Sequence, residues 1–327
     1  MKITTARPED LAEILPFLDT AYGFAPGFFG ERLASQWNSE GVDWSGVFII
    51  RGENGALASL VRFWEMDLVQ AGRPVVCGGI GSVSTASDAR GQGAMSALMH
   101  HALQEMKRRA YPLAILWGDR FRYAPFGFES AGRALQFEVT SKGLRRCGID
   151  PLESEEFGDD VLARIEAVRA RMPFHRRRHK SEISRLYRTS TRQVFAATKN
   201  EELQSAIGDF GFLVLDEGRV VEWGGDAETV LRLAAFTAQQ NIADTWSFSL
   251  PDGVAAPPLL QKTMTNWSIN SGWCRAAILD LPATLHAFQM ENSLDVFARY
   301  TPSEQVWRLF GRPDAPRNLW MSPIDTI

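Results

Sequence analysis

The sequence predicts a mixed α/β fold of the α+β kind, a largely antiparallel sheet flanked by helices, laid out twice in tandem. Three observations predict it. A β-like segment, Val75 to Thr85, runs into the glycine turn Arg90-Gly91-Gln92-Gly93-Ala94-Met95, and a helical pattern follows. A two-strand meander precedes that turn, and a compact apolar strand, Leu113 to Trp117, follows the helix. The second half then repeats hairpin, glycine turn, helix and strand in weaker form.

In chain order, Met1 to Thr5 reads as a short first strand, and Pro8 suits the first turn of a helix. Leu11, Ile14, Leu15, Leu18 and Tyr22 recur at helical spacing and give that helix one apolar face. Glycine and proline break the aromatic stretch from Tyr22 to Gly30 into a loop, and a second helix is expected over Glu31 to Trp37. Val47 to Arg51 and Ala58 to Leu68 read as a hairpin around Asn54-Gly55. Ala71 to Pro74 turns into the strand that ends at the glycine turn. Beyond the turn, Met95, Leu98, Met99, Ala102, Leu103 and Met106 mark one buried helix face. His100 and His101 are neighbours on that helix, so they cannot both face one site, and both are read as surface or packing side chains.

The glycine turn carries the chemistry. The first N–H groups of a helix have no internal partners, and with the helix dipole they form an anion site. Gly91 and Gly93 let backbone approach a phosphate, and Arg90 adds a matching charge. A Walker loop needs Lys after the last glycine, and none follows Gly93; a dinucleotide fingerprint needs a third glycine where Ser96 stands. The turn instead resembles the Arg/Gln-x-x-Gly-x-Gly/Ala loop of the Gcn5-related N-acetyltransferase (GNAT) family, with Met95 where Gly or Ala is usual. Val83-Ser84-Thr85 is similar to that family's pantetheine-pairing segment, and Tyr123-Ala-Pro-Phe-Gly127-Phe128 to its Tyr-x-x-x-Gly-Phe signature.

The resemblance implies a fold and a site for the N-terminal part. Acetyl-CoA is the implied co-substrate, its pantetheine arm on Val83, Ser84 and Thr85 and its pyrophosphate on Arg90, Gly91, Gln92, Gly93, Ala94, Met95 and Ser96. Tyr123 takes the place of the family's general acid, a phenol neutral at pH 7 that protonates the departing thiolate. Glu65 or Asp67, on the middle strand of the meander, is available to take a proton from an acceptor amine. Phe24, Phe28 and Phe29 either line an acceptor pocket or pack the first two helices together. Asp119, with Glu65, Asp67 and Glu129, can supply an acidic acceptor cleft.

Past residue 140 the pattern dissolves, and a domain boundary is expected near 148, with a catalytic domain over 1–147 and a second domain over 148–327. Val161 to Arg171 is helical in pattern, and the basic run His175 to Lys180 reads as a solvated face. Phe210 to Leu215 and Arg219 to Trp223 form a hairpin around Glu217-Gly218. Trp223-Gly-Gly-Asp226 enters a helix to Gln240, and Thr245 to Leu250 follows as a strand. This turn has no Arg or Gln, and Asp226 would repel a pyrophosphate, so the second half reads as a degenerate copy with a helical tail (Leu259 to Trp267, Ser303 to Leu309). An intact first domain followed by a degenerate second one resembles the enhanced intracellular survival (Eis)-like branch of the family.

Composition agrees with a cytoplasmic enzyme. Of 327 residues 45% are hydrophobic and 23% charged, and the net charge of −4 argues against a nucleic-acid partner. Three scattered cysteines give neither a disulfide framework nor a metal spacing, and no apolar run is long enough for a membrane. The reading is an acetyl-CoA-dependent N-acetyltransferase acting on a primary amine of a small molecule or peptide. Its rival is a non-catalytic acyl-CoA sensor or interaction module, and a homo-oligomer is compatible with either.

Overall fold

The long middle strand of the meander organises the first half. In the computed structural model, which describes residues 1–33, 36–37, 42–199, 208–272 and 274–325, it is β3 (Leu57–Gln70). Before it come β1 (Ile3–Thr5), α1 (Leu11–Tyr22), α2 (Phe28–Arg32) and β2 (Val47–Arg51). After it come β4 (Arg73–Thr85), α3 (Ala94–Arg108), β5 (Leu113–Trp117) and β6 (Glu129–Ser130). The sheet runs β1-β2-β3-β4-β5, then Cys274–Ile278, then β6. β4 and β5 pair in parallel, and the crossover connection such a pair requires is α3.

The apolar stripe of α3 explains its seat. Leu98, Met99, Ala102, Leu103 and Met106 pack on Phe48, Val61, Phe63, Ile80 and Leu116 of the sheet. Ile14 and Leu18 of α1 and Phe29 of α2 cover other strand residues, Val47, Ile49 and Leu60. The expected helix over Glu31 to Trp37 is instead Phe28–Arg32; residues 34–35 of that expectation lie outside the described residues.

Two irregularities position the site. The β3–β4 register passes from Leu60↔Ser84 to Arg62↔Gly81, so β4 bulges at Ser82 and Val83, and Ser82 adopts φ 52°. The β4–β5 pairing covers only Gly78–Ile80 against Ala114–Leu116. Past Ile80 the backbone of β4 is released from β5 and free to pair with something else.

The chain divides into two compact units, and not at the boundary expected near 148. One comprises residues 1–131 and 273–317, the other 132–272 and 318–326. The tail, read as helical, supplies the first unit with a strand: Cys274–Ile278 pairs with β5 and β6. The expected helix Leu259 to Trp267 stops at Thr263, and Asn266–Ser271 pairs as a strand with Arg133–Thr140.

In the second unit Arg133–Thr140 lies between Thr245–Pro251 and Asn266–Ser271. A separate sheet centres Phe210–Asp216 between Arg192–Thr198 and Arg219–Gly225. The helix Ala227–Gln239 buries Val230, Leu231, Leu233 and Ala234 against Phe195, Leu213, Trp246 and Phe248. The basic run is a solvated face only in part: Arg177, His179 and Lys180 are exposed, but Arg178 is buried and bonds Asp325 (2.7 Å), Glu222 (2.7 Å) and the Tyr187 hydroxyl (2.5 Å). Arg169 completes this network with Glu222 (2.9 Å) and Asp325 (3.0 Å).

Candidate active site

The turn into α3 is open. Gly91 and Gly93 adopt φ 77° and 82°, left-handed values that most side chains resist. Gly93 is the residue before the helix, and no side chain caps the first turn. Its N–H groups therefore face a cavity of about 600 Å³. That cavity is lined by Val83, Ser84, Thr85, Arg90, Gly91, Gly93, Ala94, Met95 and Ser96, each marked by the sequence. Gln92 is the exception; its side-chain amide donates to the Asp88 carbonyl at 3.1 Å. The Arg90 Nε lies 3.4 Å from the Thr85 carbonyl, which fastens the cation between strand end and helix start.

Four lining residues escaped the sequence reading: Ala21, Tyr22, Ala89 and Arg122. Tyr22 ends α1, and its hydroxyl donates to the carbonyl of Val83 in the bulge at 3.3 Å. Tyr22 is 44% exposed as a whole, but desolvation around its hydroxyl pushes its pKa up, and the neighbouring Tyr123 adds to the effect. Ser59 steadies the same strand, donating to the Ser84 carbonyl at 2.8 Å. Arg122 stands in the helical turn Arg120–Tyr123, where its N–H donates to Asp119 Oδ1 at 2.9 Å. The only advance signal for Arg122 was its place beside Tyr123.

Tyr123 stands behind Arg122 rather than on the cavity wall, 5% exposed. Its ring lies against Gly118, where a Cβ would come within 2.6 Å of it, and meets Phe128 edge-on at 6.3 Å. Burial raises its pKa; the nearby Arg122 cation pulls the other way, and Asp119 adds to the rise. The net result is a phenol that stays protonated at neutral pH.

Glu65 is not brought to this cavity. It accepts a hydrogen bond from the Tyr111 hydroxyl at 3.1 Å. In β3 it shares a face with Phe63, two residues back, which packs in the α3 core. Asp119 serves as cap of its helical turn. Glu129 takes both nitrogens of Arg120 at 2.5 Å; burial acts to raise its pKa, and Arg120 outweighs burial and holds it low. Of the carboxylates expected to form an acidic cleft, Glu65, Asp119 and Glu129 are thus each held by a different partner.

The aromatic loop divides between its two readings. Phe29 is 3% exposed and packs with Ile14 and Leu18, so it is core. Phe24 is 43% exposed and stacks on Phe28 at 4.0 Å. Asp19 pins the loop, accepting from the N–H groups of Gly27 (2.7 Å) and Phe29 (2.9 Å). Among the described residues no cluster of His, Cys, Asp or Glu could hold a metal, and no helix is long and apolar enough to cross a membrane.

Residues 2–131 match a family model described as acetyltransferase (GNAT) domain, a span that ends where the first unit's first segment ends. No curated protein matches the chain. Among solved structures it is similar to a GCN5-related N-acetyltransferase from Kribbella flavida, at 20% identity and TM-score 0.63, over 88% of this chain and 74% of that one. A GCN5-related N-acetyltransferase from Anabaena variabilis gives 19% identity and TM-score 0.62, over 88% and 74%. Eis1 from Mycobacterium abscessus gives 14% identity and TM-score 0.61, over 88% and 76%. At these identities the likeness is one of fold.

Proposed function

We propose that this chain, whose residues 2–131 are an acetyltransferase (GNAT) domain, moves an acetyl group from acetyl-CoA to a primary amine of a small molecule or peptide by direct attack. One observation carries the reading. A single cavity joins the uncapped start of α3 to the bulged strand Val83–Thr85, just where β4 has parted from β5. The first feature suits a pyrophosphate and the second an amide-bearing arm.

In this reading Arg90 and the first N–H groups of α3 bind the pyrophosphate, and Val83 to Thr85 pair with the pantetheine arm. The bulge at Val83 aims backbone groups at the thioester, where an N–H polarises the carbonyl. Tyr123 gives its proton to the sulfur. Since no carboxylate lines the cavity, the acceptor enters as the neutral amine or sheds its proton to water. The second unit is proposed to be a copy of the fold that has lost cofactor binding.

Calorimetry with acetyl-CoA, followed by turnover against amine and peptide panels, tests the reading. Tyr123→Phe should lower kcat by roughly 10²–10⁴ while leaving the Kd for acetyl-CoA nearly unchanged. A wild type that binds acetyl-CoA and acetylates nothing in a broad panel would favour the sensor. Full activity in Tyr123→Phe would make Tyr123 structural.

A further inference from the structure

We propose that the Arg122 guanidinium is the cation that receives the negative charge leaving on sulfur. The proposal rests on the acetyl-transfer reading and assigns it a residue that no motif marks.

The need for such a cation comes from elementary acidity. A thiol ionises near 8.5 and a phenol near 10, so a proton passing from Tyr123 to a thiolate runs uphill by roughly 1.5 units. Burial steepens the climb, because it penalises the phenolate. Something must stabilise negative charge first on sulfur and then on the phenolate oxygen.

Arg122 is placed for both. It lines the cavity with Val83 and Thr85, and Tyr123, the next residue, is buried beside that lining at 5% exposure. The Tyr22 hydroxyl, 3.3 Å from the Val83 carbonyl, marks the bulge end of the cavity. Arg122 lines the cavity together with Tyr22 and Val83, the pair that meets at that end. Arg90 is held elsewhere, against the Thr85 carbonyl beside the start of α3. The Arg122 backbone is pinned by Asp119, while among the described residues its guanidinium forms no salt bridge. The two arginines divide the cavity between a phosphate end and a sulfur end.

The step balances. The amine nitrogen bonds to the thioester carbon, the C–S bond breaks, and its electron pair stays on sulfur. The Tyr123 proton moves to sulfur and leaves a phenolate. The proton shed by the new amide nitrogen returns through water to that phenolate. The charge stands beside Arg122 at each stage.

The test uses the intact chain with its best acceptor, comparing wild type, Arg122→Gln and Arg122→Lys. In Arg122→Gln kcat should fall roughly tenfold or more, the scale of a lost charge-stabilising donor, with little change in the Kd for acetyl-CoA. The groups facing the Tyr123 hydroxyl are Arg122, Asp119 and Tyr22. With the cation gone, burial and Asp119 act unopposed, so the alkaline limb of the kcat profile should move to higher pH. Arg122→Lys should restore much of kcat. An unchanged kcat and alkaline limb in Arg122→Gln overturn the proposal. So does a weakened Kd with kcat kept, which would make Arg122 a phosphate anchor. A wild type that binds no acetyl-CoA sinks the underlying reading instead.

Discussion

The two glycine turns of this chain share an element order and differ in what their helix starts are free to do. At α3 the residue before the helix is Gly93, no side chain caps it, and Arg90 stands alongside. At the helix Ala227–Gln239 that residue is Asp226, whose carboxylate accepts from the Thr229 N–H at 2.9 Å and lies 3.3 Å from Lys199. The second turn is also short of room: a Cβ on Gly225 would lie 2.1 Å from the Phe210 carbonyl oxygen. An anion site is therefore not a property of strand, glycine and helix in sequence. It requires that the helix start be left unsatisfied, and only the first turn leaves it so.

The largest expected effect lies in the closed unit. Its buried arginines Arg169 and Arg178 are satisfied internally, so removing one partner strands a buried charge. Asp325→Asn should lower the unfolding free energy by about 3–5 kcal/mol, measured by denaturant titration. The same network sets an acid limit. Burial acts to raise the Asp325 pKa, but Arg178 and Arg169 outweigh it and hold it below the usual carboxylate range. A depressed folded-state pKa stabilises above the unfolded value, about 3.9, and the contribution drains away as pH falls from there toward the folded value. Stability that is flat through that window, or an Asn variant as stable as wild type, would break the contrast between the units.

In the open unit the expected losses are of binding. Gly93→Asp grafts the second turn's carboxylate onto the first, in a left-handed backbone position. Acetyl-CoA affinity should fall roughly a hundredfold or more, as the anion site is filled by a fixed charge. Arg90→Glu leaves the helix start open but reverses one flanking charge. Its loss should be smaller, roughly tenfold to a hundredfold, the worth of one or two charge-assisted hydrogen bonds. Calorimetry on both variants orders the two effects. If Arg90→Glu proved the more damaging, the helix start would not be the main anion site.

What was legible in the sequence was what depends on neighbours along the chain. The turn and the α3 stripe are local patterns, and both form as expected; the Tyr123 segment follows β5, but Tyr123 itself is not in the cavity lining. The face taken by Glu65 was not legible, because Leu60 to Met66 is apolar on both sides of Arg62 and shows no period of two. Cys274–Ile278 escaped because it is short, small-residued and fastened by strands more than a hundred residues away. The buried part of the basic run was misread for the same reason. Arg178 finds Glu222 and Asp325 at separations of 44 and 147 residues, and a cluster with distant partners looks like a surface until they are placed. Tyr22 and Arg122 lie in regions marked for other purposes, and only the cavity joins them.

The smallest effect asks which feature closes the second turn, charge or lack of space. Asp226→Ala removes a helix cap and should cost about 1 kcal/mol of stability. It also removes one of the three carboxylates around Lys199, leaving that lysine with Glu228 at 3.2 Å and Asp209 at 3.8 Å. If repulsion alone had closed the turn, the variant would gain an anion site. The geometry argues against that gain. The Gly225 backbone is pressed on Phe210, and Gly211 has Thr229 where its own Cβ would be, the contact distance being 2.8 Å. The first contact is backbone on backbone and needs no carboxylate, whereas Thr229 is held by Asp226 through its N–H (2.9 Å) and its hydroxyl (3.0 Å). Placing Asp226→Ala in the Arg90→Glu background isolates the second turn, and calorimetry should detect no recovery of acetyl-CoA binding there. Recovered binding would mean that one carboxylate, rather than the packing beneath it, separates the closed turn from the open one.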